Sequence, residues 1–96
     1  MINSHRKVDS TRIVFYLNNK GQLHRDDGPA VIYPDGSQAW YKNDEYHREN
    51  GPAVIGANGN QFWYKNNQLH RNCGPAIILS NGNQIWYKNG KNSSRK

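Results

Sequence analysis

A 23-residue repeat constrains the fold of this chain more than any other feature of its sequence. Three motifs recur at this interval without a slip: His-Arg at 24–25, 47–48 and 70–71, Gly-Pro-Ala at 28–30, 51–53 and 74–76, and Trp-Tyr-Lys-Asn at 40–43, 63–66 and 86–89. Such regularity indicates a tandem array of one small supersecondary unit. We predict a repeat domain of about three and a half repeats at residues 12–91, a flexible basic arm at 1–11 and a basic tail at 92–96.

Each repeat carries two turn signals that are typical of β-hairpins. The first is Asp-Gly or Asn-Gly, at 35–36, 58–59 and 81–82, and the second is Asn followed by Asp, Asn or Gly, at 43–44, 66–67 and 89–90. These residues tolerate the positive φ that two-residue hairpin turns require. No stretch has helical periodicity with caps. We predict an all-β fold, an antiparallel meander of tandem β-hairpin repeats that forms one curved sheet.

The turns also predict which residues face one another across each hairpin. If the central pairs of the turns are those named above, the facing pairs are Val31 with Trp40, Val54 with Trp63, Ile77 with Trp86, Tyr41 with Tyr46, and Tyr64 with Leu69. In the first unit, Tyr16 then faces Leu23 and Phe15 faces His24, so Phe15 stands where Trp stands elsewhere. In this register one face holds most of the aliphatic side chains and the other holds the Trp and His rows. Because a single sheet cannot bury both faces, we expect it to curl, dimerise or offer one face to a partner.

The excess positive charge of the chain lies outside residues 24–89. The 96 residues carry a net charge of +6, but residues 24–89 contain six basic and six acidic side chains. Residues 24–46 hold two basic and five acidic groups, and residues 47–89 hold four and one. Phosphate-tracking proteins present many basic contacts along their surface. The gradient therefore favours an oriented contact with a protein over uniform tracking of nucleic acid.

Candidate catalytic and metal-binding groups are sparse. His24, His47 and His70 stand at equivalent positions of successive hairpins, about 10 Å apart, so they cannot share one zinc ion. We expect each His to pack beside an aromatic and to cap a turn. Cys73 follows His70 by three residues, but Asp27 and Asn50 stand at its position in the other repeats, which makes it a turn residue. We predict no catalytic residues, no metal, no cofactor and no enzymatic activity.

The repeated Arg and Trp side chains allow more than one interpretation. The Arg residues at 25, 48 and 71, placed beside positions 39, 62 and 85, either stack over an aromatic with hydrogen bonds to turn carbonyls or form a row of anion contacts. The Trp residues are either core or a row of binding hot spots, and with the neighbouring Lys residues they could stack nucleic-acid bases. The predicted partner-binding residues are Trp40, Trp63, Trp86, Lys42, Lys65, Lys88, Arg48 and Arg71.

Two features of the chain resemble MORN-type β-hairpin repeats. They are the run Asn-x-x-x-His at 43–47 and 66–70 and the closing Tyr-Lys-Asn-Gly-Lys at 87–91. The resemblance covers residues 15–91. MORN repeats continue His-Gly-x-Gly, whereas here His-Arg-x-x-Gly-Pro-Ala follows, a variant of uncharacterised bacterial, phage and giant-virus proteins. The resemblance implies curved sheets in protein or membrane contacts and, from antitoxin-like bacterial relatives, inhibition of another protein.

We therefore predict a non-enzymatic module that binds and inhibits another protein, as a phage-encoded inhibitor of a host system or an antitoxin-like protein does. The alternative is nucleic-acid or nucleotide binding through the Trp, Lys and Arg rows. Homodimerisation stays open. We expect no membrane insertion, because the apolar runs are short, and a cytoplasmic location in a bacterium or infected cell, because the single Cys73 cannot form an internal disulfide.

Overall fold

The computed structural model describes residues 5–93, and every regular element in that range is a β-strand. The strands are short because turn residues recur every few positions. In chain order the described strands are β1 (His5–Val8), β2 (Val14–Leu17), β3 (Val31–Ile32), β4 (Gln38–Ala39), β5 (Tyr41–Lys42), β6 (Glu45–Tyr46), β7 (Val54–Ile55), β8 (Gln61–Phe62), β9 (Tyr64–Lys65), β10 (Gln68–Leu69), β11 (Ile77–Ile78), β12 (Gln84–Ile85), β13 (Tyr87–Lys88) and β14 (Lys91–Asn92).

Eight of these strands form one open antiparallel sheet, which we call the main sheet. Its order is β1-β2-β3-β4-β7-β8-β11-β12, so the chain runs through it as a meander. The other six strands pair as three small hairpins, β5-β6, β9-β10 and β13-β14. Each repeat thus adds two strands to the main sheet and one hairpin beside it. The prediction of an all-β antiparallel meander of hairpin repeats is confirmed.

The repeated Trp marks the point where the chain leaves the main sheet. The Trp40 N–H donates to the carbonyl of Ala53, the residue before β7 of the main sheet, at 2.6 Å, while the Trp40 carbonyl accepts from the N–H of His47 across the small hairpin, at 3.1 Å. The Trp63 N–H and carbonyl bond in the same way to Ala76 and His70, at 2.7 and 3.0 Å. One residue therefore joins the two ladders, and its side chain sits at the corner between them.

The predicted register is wrong in the main sheet because the first turn is not a two-residue turn. Gly56 and Asn60 close a three-residue loop through an N–H to carbonyl bond of 2.8 Å, and of the loop residues only Gly59 has a positive φ, of 95°. This is a type I turn followed by a left-handed glycine. Val54 therefore faces Phe62 instead of Trp63. The equivalent turns place Val31 opposite Ala39 and Ile77 opposite Ile85.

The first unit differs from its prediction by the same one-residue shift. Leu17, and not Tyr16, faces Leu23, and the N–H of His24 bonds to the carbonyl of Tyr16. The Tyr16 N–H donates to Ala30, as the Trp40 N–H does to Ala53. Tyr16 therefore takes the Trp position that was predicted for Phe15.

The register of the small hairpins is confirmed. Both central residues of each turn have positive φ, for example 51° and 68° at Asn66 and Asn67. Tyr41 faces Tyr46 and Tyr64 faces Leu69, as predicted. Within the first small hairpin the ring centroids of Tyr41 and Tyr46 lie 4.6 Å apart, and the ring of Tyr46 also contacts the next hairpin, with its centroid 4.7 Å from that of Tyr64. Burial, followed by the contact with Tyr46, raises the pKa of Tyr41 above its usual range.

The corrected register redistributes the side chains between the two faces, because a one-residue slip exchanges faces. From β2 to β12, one face of the main sheet carries an apolar row with one residue per strand: Phe15, Val31, Ala39, Val54, Phe62, Ile77 and Ile85. The opposite face alternates Ile and Gln across β3 to β12: Ile32, Gln38, Ile55, Gln61, Ile78 and Gln84.

The core is thin. The alanines of the Gly-Pro-Ala motifs, Ala30, Ala53 and Ala76, are completely buried, and Val31 and Ala39 are 5% and 3% exposed. In the described part of the chain no large side chain is fully buried. The molecule is elongated, with extents of 45 × 25 × 17 Å. Contacts between successive repeats must therefore hold the array together.

The ordered sheet begins before the predicted domain boundary at residue 12. Residues 5–8, which the sequence assigns to a flexible arm, form β1 and pair with β2. The rest of the predicted arm, residues 1–4, and most of the predicted tail, residues 94–96, lie outside the described residues. Within residues 5–93 there is no helix with the length and apolar character needed to cross a membrane.

Candidate binding surface

Each His-Arg motif places its Arg on the aromatic corner of the preceding repeat. The Arg48 Cζ lies 3.8 Å from the ring centroid of Trp40, and the Arg71 Cζ lies 4.0 Å from that of Trp63. Arg25 lies over Tyr16 in the same way, at 4.0 Å. Of the two predicted roles for Arg, the structure has the stack on an aromatic. The aromatic is the Trp of the preceding repeat, or Tyr16 for the first Arg, and not a side chain at positions 39, 62 or 85.

The glycine of Gly-Pro-Ala closes the other side of the guanidinium. A β-carbon at position 51 would lie 3.0 Å from Arg48 Cζ, closer than side chains normally approach. The Arg48 Nη1 donates to the carbonyl of Pro52 at 3.0 Å, and Arg71 bonds in the same way to Pro75 at 3.1 Å. The guanidinium is thus held between a ring and a glycine, which explains why Arg and Gly recur together. Burial lowers the pKa of Arg48 from its usual range.

Each His of the motif caps the turn of the next small hairpin. The Nδ1 of His47 accepts from the N–H of Asn66 at 3.2 Å, and the Nδ1 of His70 accepts from the N–H of Asn89 at 2.9 Å. Since Nδ1 accepts, the neutral ring carries its proton on Nε2. In His47 that nitrogen lies 2.6 Å from Glu49 Oε2. The capping role predicted for these residues is therefore present, and it fixes each hairpin to the preceding loop.

Two clefts of equivalent construction open between successive His-Arg loops. The first cleft lies between residues 25–29 and 47–50, with residues 40–42 between them, and has a volume of about 580 Å³. The second cleft lies between residues 48–51 and 70–73, with Trp63 and Lys65 between them, and has a volume of about 340 Å³. Every residue that lines the second cleft has its equivalent 23 positions earlier in the lining of the first. The repeat therefore builds a row of sites and not one unique site.

The clefts bring together most of the predicted binding residues. Trp40, Lys42 and Arg48 line the first cleft. Trp63 and Lys65 line the second, together with Arg71 and the shared Arg48. Trp86, which is 38% exposed, and Lys88 occupy the equivalent positions of the last repeat and line neither cleft.

The sequence interpretation missed the loop residues that form the rims of the clefts. These rim residues follow each His-Arg pair: Asp26, Asp27, Glu49, Asn50, Asn72 and Cys73. The rim residues vary between repeats. The repeated Trp, Lys, His, Arg and Gly residues around them, which we call the frame, do not vary. The sequence signal that could have identified the rim residues is this contrast between fixed and variable positions. Fixed positions shape the cleft, and variable positions select what binds in it.

The two clefts differ in charge. Each is lined by three Arg or Lys side chains, but the first has three carboxylates (Asp26, Asp27 and Glu49) and the second has only Glu49. Glu49 lies 2.6 Å from His47 and 3.9 Å from Lys65 Nζ. The hydrogen bond from His47, and then the charge of Lys65, lower the pKa of this carboxyl. The second cleft therefore has a formal excess of positive charge, and the first is balanced.

Reactive groups do not converge in the described residues. Within residues 5–93 no three His, Cys, Asp or Glu side chains are grouped so that they could hold a metal ion. The thiol of Cys73 is free and exposed at the rim of the second cleft. Comparison of the chain with protein-family models, curated proteins and solved structures finds no match. The resemblance to MORN-type repeats stays a prediction from sequence.

Proposed function

We propose that this chain is a non-enzymatic module that binds, and by binding inhibits, another protein, and that the two clefts form its binding surface. The observation that carries the proposal is the repetition of one cleft frame with a varied rim. A phage-encoded inhibitor of a host system, or an antitoxin-like protein, is the class of protein that we propose.

The frame is suited to binding because its side chains are already held in place. Arg48 is fixed between Trp40 and Gly51 with a hydrogen bond to Pro52, and His47 is fixed to the Asn66 turn. A preorganised surface loses less conformational entropy when a partner docks. Trp, Tyr and Arg are also the residue types that contribute most to the energy of protein interfaces.

Lys65 is the most informative position for a test because it lies in the second cleft with 47% of its side chain exposed. Lys65→Glu reverses a charge there, and Lys91→Glu is the matched control on the exposed strand β14, outside both cleft linings. Immobilised protein is incubated with a bacterial cell lysate at physiological salt. Retained proteins are identified by mass spectrometry and then titrated as purified proteins.

We expect one dominant protein to bind the unchanged chain and Lys91→Glu, and to bind Lys65→Glu at least about tenfold more weakly. Equal retention by Lys65→Glu would remove the second cleft from the interface. Failure to retain any protein would contradict the proposed function. Binding to single-stranded DNA or RNA with a steep salt dependence, in place of a protein, would support the alternative of nucleic-acid binding.

A further inference from the structure

We infer that the two clefts take a single extended segment of the partner, in the polyproline II conformation, with a basic side chain in the first cleft and a carboxylate three residues away in the second. This inference rests on the proposed function and specifies the chemistry of the partner. It follows from the distance between the clefts and from the difference between their rims.

The distance between the clefts selects the conformation of the segment. Equivalent positions of successive repeats are two strands apart in the main sheet, as in the order β3-β4-β7, so they lie about 10 Å apart. Side chains on one side of a β-strand recur about every 7 Å. In a polyproline II helix, same-side residues are three positions apart and recur about every 9 Å. Only the second spacing lets consecutive same-side side chains enter neighbouring clefts.

The rims select the charges of the segment. Asp26 and Asp27 of the first cleft have side chains that are 59% and 86% exposed, so they can accept further hydrogen bonds beside those from His24 and Arg25. In the second cleft the equivalent positions hold Glu49 and Asn50, and the opposite rim holds the neutral Asn72 and Cys73, so that one carboxylate stands beside three basic side chains. The exposed Asp26 and Asp27 thus favour a basic side chain at the rim of the first cleft, and the excess of positive charge in the second favours a carboxylate beside Lys65 and Arg71.

The same charge difference disfavours a nucleic-acid strand. A single strand presents a phosphate at every step, so one phosphate would have to approach the three carboxylates of the first cleft. Phosphate-binding surfaces instead repeat basic contacts along the strand. A segment with one basic and one acidic side chain satisfies both clefts.

The repeats supply their own matched variants for a test. Asn72→Asp with Cys73→Asp gives the second cleft the acidic pair that the first repeat carries at 26 and 27. Asp26→Asn with Asp27→Asn gives the first cleft a neutral pair, with the Asn residues found at 72 and 50. Each residue type that is introduced already occurs at the equivalent position of the loop in another repeat. The variants therefore change charge without changing the frame, and circular dichroism checks that the fold is kept.

The probe is the capped peptide Pro-Pro-Lys-Pro-Pro-Glu-Pro-Pro, titrated into the isotope-labelled full chain at low salt and followed by amide chemical shifts. One comparison peptide has Glu at both charged positions, and another has Lys and Glu only two residues apart. We expect the first peptide to bind at least about threefold more tightly than either comparison peptide, with shifts at 26–27 and 70–73.

The two double variants should change peptide binding in different ways. Asn72→Asp with Cys73→Asp should weaken the Lys/Glu peptide by about fivefold. Asp26→Asn with Asp27→Asn should remove the preference for that peptide over the peptide with two Glu residues. Equal affinity of all three peptides, no binding of any of them, or tighter binding of oligothymidylate would overturn the inference.

The two proposals fail in different ways. If a protein is captured and Lys65→Glu loses it, while the peptides show no preference, the proposed function stands and the partner chemistry is wrong. If no protein is captured, the proposed function fails whatever the peptides show.

Discussion

The guanidinium of Arg48 lies 3.8 Å above the ring of Trp40, which belongs to the preceding repeat. The same relationship holds between Arg71 and Trp63. Because the core is thin and its completely buried side chains are alanines, this contact is a main connection between neighbouring repeats. Arg48 also lines both clefts, so stability and binding depend on the same side chain.

Replacing Arg48 should therefore destabilise the whole array. Arg48→Ala removes the stack on Trp40 and the hydrogen bond to Pro52, and we expect a loss of about 2 kcal/mol in the free energy of unfolding. Arg48→Lys keeps the charge but not the planar contact, so it should recover less than half of that loss. Urea denaturation measures both. A stability of Arg48→Ala within error of the unchanged chain would contradict this role.

Gly51 should be required only because Arg48 lies against it. Gly51→Ala places a methyl group 3.0 Å from Arg48 Cζ, and we expect a cost of about 2 kcal/mol. In the Arg48→Ala background the cost should fall close to zero, which a double-mutant cycle measures.

Gly59→Ala is the control for that cycle. Gly59 has a φ of 95° and open space around it, so its cost of about 1 kcal/mol is backbone strain and should not depend on Arg48. An equal cost of Gly51→Ala in both backgrounds would mean that the close approach of Arg48 has no energetic effect.

His70 should stabilise the hairpin that follows it. His70→Ala removes the acceptor for the N–H of Asn89, and we expect a loss of about 1 kcal/mol. His70→Asn can present an amide oxygen near the position of Nδ1 and should lose less. Hydrogen exchange reports the effect locally, as faster exchange of the Asn89 amide. Unchanged exchange at Asn89 in His70→Ala would contradict the capping role.

Glu49 should contribute stability that is lost in acid. Its folded-state pKa is lowered, so the unfolded chain binds the proton more readily, and the contribution is present above about pH 4.5 and lost as the pH falls through the folded-state pKa. Because the side chain is exposed, we expect only a few tenths of a kcal/mol. The measurement is the stability of the unchanged chain and of Glu49→Gln at pH 7 and pH 3. The difference between them should be smaller at pH 3, and a constant difference would contradict the assignment.

The sequence predicts the small hairpins well because their turns depend on local chemistry. At 43–44, 66–67 and 89–90 both central residues tolerate positive φ, and all six adopt it. At 58–59 the Asn-Gly pair fits both a two-residue turn and a three-residue loop, and these two connections differ in strand register by one residue. Pro34 was the overlooked indication, because proline fixes φ near −65° and suits the second position of a type I turn.

The clefts could not be predicted from the sequence because they depend on the contacts between repeats. The periodicity identifies Trp40, Lys42 and Arg48 as repeated residues, and stacking of Arg on an aromatic was one of two predicted roles. Which aromatic Arg48 meets depends on the register of the main sheet and on the corner at Trp40, where the two ladders join. Neither property follows from one repeat alone.

The most direct test of the proposed binding surface is amide hydrogen exchange of the chain alone and in complex with the protein that it captures. We predict slower exchange on binding at residues 25–28, 47–50 and 70–73, which lie in the loops that form the rims of the two clefts, and unchanged exchange at β1 and β14. Protection confined to β1 and β14, with none at the rims, would contradict the account.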